Sequence, residues 1–286
     1  MQNIQLEHPF LVAQDLSAIG SLSLSVANPI LAAFGSPLAV LPTSLLSTQT
    51  EGFDTPAKLP ADSWLESTFK HWQQQNIQLS GALIGYLGTD ELVTQLSNYL
   101  AGQHLPLVVV DPVMADQSEL YPGLPKRYSV SMKTLLQYAD VIVPNTTEAQ
   151  LLSGITIGDN PTENEQTILL KSLEQLMPKD SHAIITDVRV GAQTGCVWLE
   201  DGKIRYYSCP IINGHFFGSG DVFAALLAGF LLHEESLGDA IRMATDGTYE
   251  TLKHTAAEET ELRFGLNIST LLGKISNYAQ TGEFKS

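Results

Sequence analysis

The run Gly218-Ser219-Gly220-Asp221 places a carboxylate at the mouth of an otherwise apolar segment, "GSGDVFAALLAGFLL". Val222, Phe223, Leu226, Leu227, Phe230 and Leu231 recur at the spacing of a buried helix face, so a loop becomes a helix at the glycines. The first N–H groups of a helix lack internal acceptors and the macrodipole adds positive potential. Gly218 to Asp221 therefore form a cradle for an anion. The acid beside that cradle is either a first-turn cap on a core helix or a functional group next to the bound anion. Further carboxylates stand at strand ends. "LPLVVVDPVMAD" closes a strand on Asp111, with Pro112 turning the chain. "VIVPNTTEAQLLSG" exposes Asn145 after Pro144 and puts Glu148 in the first turn of the next helix, while "HAIITD" brings Thr186 and Asp187 to the same edge. Taken singly, Asp111 serves as a turn residue, and Asn145 with Glu148 as a helix cap and its capping acid. Taken together, carboxylates on separate strand ends that face a glycine-framed helix start are what Mg²⁺ and a nucleoside triphosphate require. There is no GxxxxGK[ST] loop, which argues against a P-loop kinase, and "GSGDVF" lacks the third glycine of a dinucleotide fingerprint.

The elements that must hold these residues follow from hydrophobic pattern. Strand-like runs occur at 9–14, 38–43, 81–86, 105–111, 140–144 and 182–187, several of them continuously apolar, as in buried parallel strands. Helical stretches lie between them. Ser63 and Glu66 suggest a capping box for "SWLESTFKHWQQQ", and Thr89 a cap for "DELVTQLSNYL". Alternation of strand and helix predicts an α/β fold with a mostly parallel central sheet flanked by helices. "GCVWLE" and "KIRYYS" joined by Asp201-Gly202 predict a hairpin and hence an antiparallel edge. The Pro-rich loop 54–63 reads as a surface excursion near the site, and no linker or repeat divides residues 1–286, so a single domain is expected.

A formal net charge of -16 repels nucleic acid and anionic membrane, so neither is an expected partner. No basic region precedes a sustained apolar run at the amino terminus, and runs such as "AALLAGFLL" fall short of the roughly twenty residues a bilayer span needs. A cytoplasmic location is expected. Cys196 and Cys209 lack metal or redox spacing and read as reduced structural thiols. The seven histidines form no close ligand pair; His215, in "NGHFFGSGD", reads as a solvated loop residue.

"GSGDVFAALLAGFLL" is similar to the GxGD signature of the ribokinase-like superfamily, and "VVVDPVMAD", "VIVPNTTEAQLLSG" and "GALIGYLGTDE" together resemble its pyridoxal kinase branch. The order holds from "VAQDLSAIG" through "LPTSLLSTQTEGF" to the carboxyl-terminal helices. The resemblance implies a ribokinase-like kinase that uses ATP and Mg²⁺ to phosphorylate the 5′-hydroxymethyl group of pyridoxal, pyridoxine or pyridoxamine. It implies Asp221 as catalytic base, with Gly218, Ser219 and Gly220 donating N–H groups to the transferring phosphoryl group. Asp111 and Glu148 would act on Mg²⁺, and Val143, Asn145 and Thr186 would line the nucleotide phosphates. Asp15, Thr50, Glu51 and Tyr86 fall where the family contacts the pyridine ring. Asp15 stands where many relatives have serine, so it would accept rather than donate a hydrogen bond. Relatives are commonly homodimers, and a dimer is expected on that ground alone; a K⁺ requirement stays open. The competing functions are a hydroxymethylpyrimidine or sugar kinase, and a non-catalytic paralogue that binds vitamin B6 or nucleotide.

Overall fold

Residues 8–158, 161–258 and 261–285 are described by the structure, a computed structural model. The strands are β1 (Phe10–Ser17), β2 (Leu38–Leu46), β3 (Lys58–Pro60), β4 (Gly81–Ile84), β5 (Val108–Val110), β6 (Ala115–Asp116), β7 (Glu119–Leu120), β8 (Val141–Ile142), β9 (His182–Val190), β10 (Gln193–Glu200) and β11 (Lys203–Pro210). The helices are α1 (Leu24–Ala33), α2 (Asp62–Gln74), α3 (Asp90–Ala101), α4 (Tyr128–Leu136), α5 (Thr146–Ser153), α6 (Glu163–Glu174), α7 (Ser219–Leu232), α8 (Leu237–Ala256) and α9 (Ser269–Thr281). Nine strands form one sheet in the order β11-β10-β9-β8-β5-β4-β1-β2-β3. Neighbours from β2 through β9 pair in parallel.

Both faces of the sheet are covered, which is why its central strands are apolar throughout rather than alternating. Along β1, Leu11 and Ala13 point into a core shared with α2 to α6, while Phe10 and Val12 point into a second core shared with α1, α7, α8 and α9. The predicted hairpin forms: Asp201 (φ 51°) and Gly202 (φ 72°) join β10 to β11. Its left-handed turn matches the twist of the paired strands.

Two local expectations give way. The loop over 54–63 contains β3, which pairs antiparallel with β2 and gives the sheet a second antiparallel edge. All three β3 residues are exposed, so they carry no burial pattern that the sequence could reveal. The capping box at Ser63 and Glu66 is absent: α2 starts two residues earlier, after Ala61, with Asp62 in its first turn. Asp62 interacts favourably with the helix dipole without a side-chain cap. Thr89 does cap α3, its Oγ1 accepting from the Leu92 N–H at 3.1 Å. Among the described residues, no helix is long and apolar enough to cross a membrane.

Candidate active site

The carboxyl ends of the parallel strands open into a cavity of about 810 Å³, where ligands of open α/β sheets bind. Ladder hydrogen bonds continue just past the strands and fix the residues there. Asp111 N–H donates to Ile84 O at 2.8 Å, Val143 N–H to Val110 O at 3.0 Å, and Thr186 N–H to Pro144 O at 2.9 Å. Asp15, Thr50, Glu51, Tyr86, Asp111, Val143, Asn145, Glu148, Thr186 and Gly218 to Asp221 all line this cavity. Residues from both halves of the chain are thus brought to one place.

Gly218, at φ 87°, precedes α7 and offers no side chain to cap it. A Cβ there would lie 2.9 Å from Ser21 O, so both conformation and space call for glycine. Gly220 packs close to Asp111, since a Cβ at Gly220 would sit 3.6 Å from Asp111 Oδ2. Asp221 does not fold back on its own helix. Its Oδ2 accepts the Ser23 N–H at 2.9 Å, across 198 residues of sequence. Burial lifts its carboxyl to about 7, with the Ser23 N–H opposing the rise and the Asp15 charge adding to it. A base poised near neutrality is suited to taking a proton from an alcohol at physiological pH.

Asp111 is 7% exposed and Glu148 2%. Burial, then Glu148 and Asp221, push the Asp111 carboxyl well above its ordinary value, while the Val113 N–H opposes. Val113 turns the chain at φ 20°, a strained value for a β-branched residue. Glu148 and Asn145 form the capping box of α5: Glu148 N–H donates to Asn145 Oδ1 at 2.9 Å, and Asn145 N–H to Glu148 Oε2 at 3.0 Å. Glu148 Oε1 accepts from the N–H groups of Met114 (2.8 Å) and Ala115 (3.3 Å), which ties the β6–β7 hairpin to α5. Burial nevertheless raises this carboxyl to about 7. Burial disfavours ionisation of Asp111, Glu148 and Asp221 alike, and the Glu148 and Asp221 charges add to the rise at Asp111. Among the described residues, no set of three or more His, Cys, Asp or Glu side chains converges as a preformed metal cage. The carboxylates of Asp111 and Glu148 are hard oxygen donors, the type that Mg²⁺ takes.

At the other end of the cavity Asp15 is buried. Desolvation raises its carboxyl, opposed by nearby Ser23 and the Lys58 charge. Tyr86 is close enough for the Asp15 charge to add to the rise of its phenol by burial. The two glycines around it have separate causes. A Cβ on Gly85 would lie 2.5 Å from Gln14 Nε2, and one on Gly88 2.9 Å from the Tyr86 ring. Thr50 and Glu51 sit on the loop after β2, which Gln49 pins through its Nε2 donating to Arg263 O at 2.7 Å. The Arg263 guanidinium lies 4.6 Å over the Phe53 ring. His215 is exposed, as expected of a loop residue, and packs edge-on to Phe217 at 4.4 Å; its charge also lowers Glu51 against the upward push of burial. Phe216 packs partly against the α7 core and lines the cavity.

At the β9 end, Asp187 Oδ1 accepts from Arg189 Nε at 3.3 Å and Thr194 Oγ1 at 3.2 Å. Cys196 and Cys209 are free and buried, as structural thiols should be, yet both reach the cavity wall. Sequence reasoning missed Ser23, Ser17 and Tyr121, the last a phenol raised by burial and by four surrounding acids, Glu148, Asp116, Glu51 and Asp111. No local pattern marks Ser23 or Tyr121, because each acquires its place through partners distant in the chain.

A family model described as phosphomethylpyrimidine kinase matches residues 32–263. The hydroxymethylpyrimidine/phosphomethylpyrimidine kinase of Haemophilus influenzae is 29% identical over 63% of this chain and 68% of its own. The pyridoxine/pyridoxal/pyridoxamine kinase of Bordetella avium is 28% identical over 85% of this chain and 84% of its own. The crystal structure of pyridoxal kinase from Lactobacillus plantarum superposes with a TM-score of 0.92 at 39% identity, covering 96% of this chain and 98% of that one.

Proposed function

Since the chain belongs to the phosphomethylpyrimidine kinase family, within the pyridoxal kinase group of the ribokinase-like superfamily, it is a phosphotransferase with an alcohol acceptor, and we propose that the acceptor is the 5′-hydroxymethyl group of pyridoxal, pyridoxine or pyridoxamine. ATP is the donor. The observation that carries this reading is Asp221, a buried acid raised to about 7 and turned out of its helix toward Ser23 at the edge of the cavity. Its Oδ2 is occupied by the Ser23 N–H, so Oδ1 takes the acceptor proton. The new O–P bond forms as the bond between the terminal phosphoryl group and its bridging oxygen breaks, and ADP leaves. Gly218, Ser219 and Gly220 donate N–H groups toward the transferring group, where charge redistributes. Asp111 and Glu148 would hold Mg²⁺, which supplies neutralisation of phosphate charge.

Asp15 and Tyr86 receive the acceptor ring, Tyr86 by stacking and Asp15 by hydrogen bonding, with Thr50 and Glu51 closing over it. Val143, Asn145 and Thr186 face the nucleotide phosphates. A second reading, a hydroxymethylpyrimidine kinase, is favoured by the family description and by the Haemophilus relative. ADP release decides between them, measured with the three vitamers, hydroxymethylpyrimidine and a sugar, each with and without Mg²⁺ and K⁺. The vitamers should give the highest kcat/KM and no turnover should occur without a divalent ion. A preference for hydroxymethylpyrimidine would select the second reading, and folded protein inactive on every alcohol would select a binding paralogue. The same reading carries a homodimer in the cytoplasm, and sedimentation of the purified protein checks the dimer.

A further inference from the structure

Seven carboxylates line the cavity, and among the described residues a single Lys or Arg side chain, Arg189, stands against them. The other basic group on the wall, His215, packs against Phe217 on the loop before α7. A nucleoside triphosphate adds more negative charge to that wall, in a chain whose formal net charge is already -16. Arg189 is thus the cation best suited to oppose it. Strand β9 carries this residue beyond the parallel sheet. Its last parallel contact is the bridge from Thr186 to Asn145, and it continues to Val190 paired with β10 alone. The register slips on the way: Gly195 pairs with Val188 but Val197 with Ile185, so β9 holds one extra residue. Asp187 lies in that bulge at φ 52°. A bulge bends its strand and re-aims the side chains around it, and here both Asp187 and Arg189 reach the cavity wall.

Arg189 Nε donates to Asp187 Oδ1 at 3.3 Å, an oxygen that also accepts from Thr194 Oγ1 at 3.2 Å. The terminal guanidinium nitrogens of Arg189 make no hydrogen bond among the described residues. The two side chains of the pair are 69% and 50% exposed, so exchanging Asp187 for another anion costs less than about fivefold in affinity. A guanidinium with its terminal nitrogens free matches phosphate oxygens in a two-pronged fork. We propose that Arg189 is a nucleotide-binding residue whose guanidinium contacts the phosphate chain of ATP and ADP from the β9–β10 hairpin. The inference rests on the kinase reading above and adds to it the one full positive side-chain charge that the nucleotide meets.

Calorimetric titration of the full-length protein with ADP and with adenosine, both in Mg²⁺ buffer, tests this without any acceptor. Arg189→Gln keeps the stem and a hydrogen-bond donor and deletes the charge. It should weaken ADP about tenfold, the effect of one lost hydrogen bond to a charged group, and adenosine by less than about twofold. Arg189→Lys keeps the charge without the fork and should weaken ADP only about threefold. Raising the salt concentration should weaken ADP binding more in the wild type than in Arg189→Gln. An ADP affinity indifferent to Arg189→Gln overturns the inference, and so does an equal loss for ADP and adenosine, which would move the contact to the nucleoside. Turnover decides the kinase reading separately: a wild type that phosphorylates no acceptor yet shows the tenfold difference keeps Arg189 as a phosphate contact and loses the kinase. A wild type that binds neither ADP nor adenosine overturns both.

Discussion

Helices α5 and α7 both begin with an acid three residues after the cap and use it in opposite ways. In α5 the cap is Asn145, and Glu148 folds back onto the Asn145 N–H. In α7 the cap is Gly218, which has no side chain, and Asp221 reaches across to the Ser23 N–H instead. Cap and acid satisfy each other in α5, and Glu148 adds two bonds to Met114 and Ala115. In α7 no side chain satisfies the first turn, which leaves its N–H groups and a free carboxylate oxygen to face the cavity. The difference lies in the residue before the helix: an asparagine closes a helix start into structure, and a glycine in the left-handed region opens it to chemistry.

The most severe way to break this contrast is to give α7 the cap of α5. Gly218→Asn should cut kcat at least about a hundredfold, because a side chain at that position presses on Ser21 O and supplies a competing acceptor for the first-turn N–H groups. Steady-state ADP release checks it, and near-normal turnover would erase the distinction between the two helix starts. The reverse loss is thermodynamic. Glu148→Ala orphans the N–H groups of Met114, Ala115 and Asn145, and should cost about 2 kcal/mol or more, a fall in Tm of several degrees, measurable by calorimetry without any ligand.

These contrasts also mark how far the sequence could be read. Apolar runs located the parallel strands, and Asp201-Gly202 the hairpin, because burial and turn chemistry are local properties of the chain. The glycines and acids of the site were visible because each stands at a boundary between patterns. What stayed hidden depends on distant partners. β3 exists only through pairing with β2, and the β6–β7 turn uses Gln117 (φ 48°) and Ser118 (φ 69°) where glycine or asparagine would have signalled it. Asn145 and Glu148 form the capping box and also line the cavity, so their part in nucleotide and metal binding stays a proposal that the sequence could not separate from the cap.

A smaller effect sharpens the electrostatic side of the contrast. Asp221 and Glu148 are raised to about 7 and Asp111 is raised well above its ordinary value, so the folded protein keeps protons there that the unfolded chain releases near pH 4. The folded state binds more protons across that window, so stability without metal should fall as pH rises from about 4 through about 7. If Mg²⁺ is held by these acids as proposed, it binds their ionised form and should raise Tm by a few degrees at pH 8 and hardly at all at pH 5.5. An equal shift at both values would place the metal away from these carboxylates.

The most direct test of Asp221 as base rather than cap is Asp221→Asn, with kcat, Tm and ATP affinity measured on the same preparation. Asparagine keeps a carbonyl oxygen for the Ser23 N–H, so Tm and ATP binding should persist or rise slightly once a buried acid is removed. It cannot accept the acceptor proton, and kcat should fall by about a hundredfold or more. Near-normal kcat in this folded, ATP-binding variant would contradict the assignment and return Asp221 to the structural role that Glu148 fills in α5.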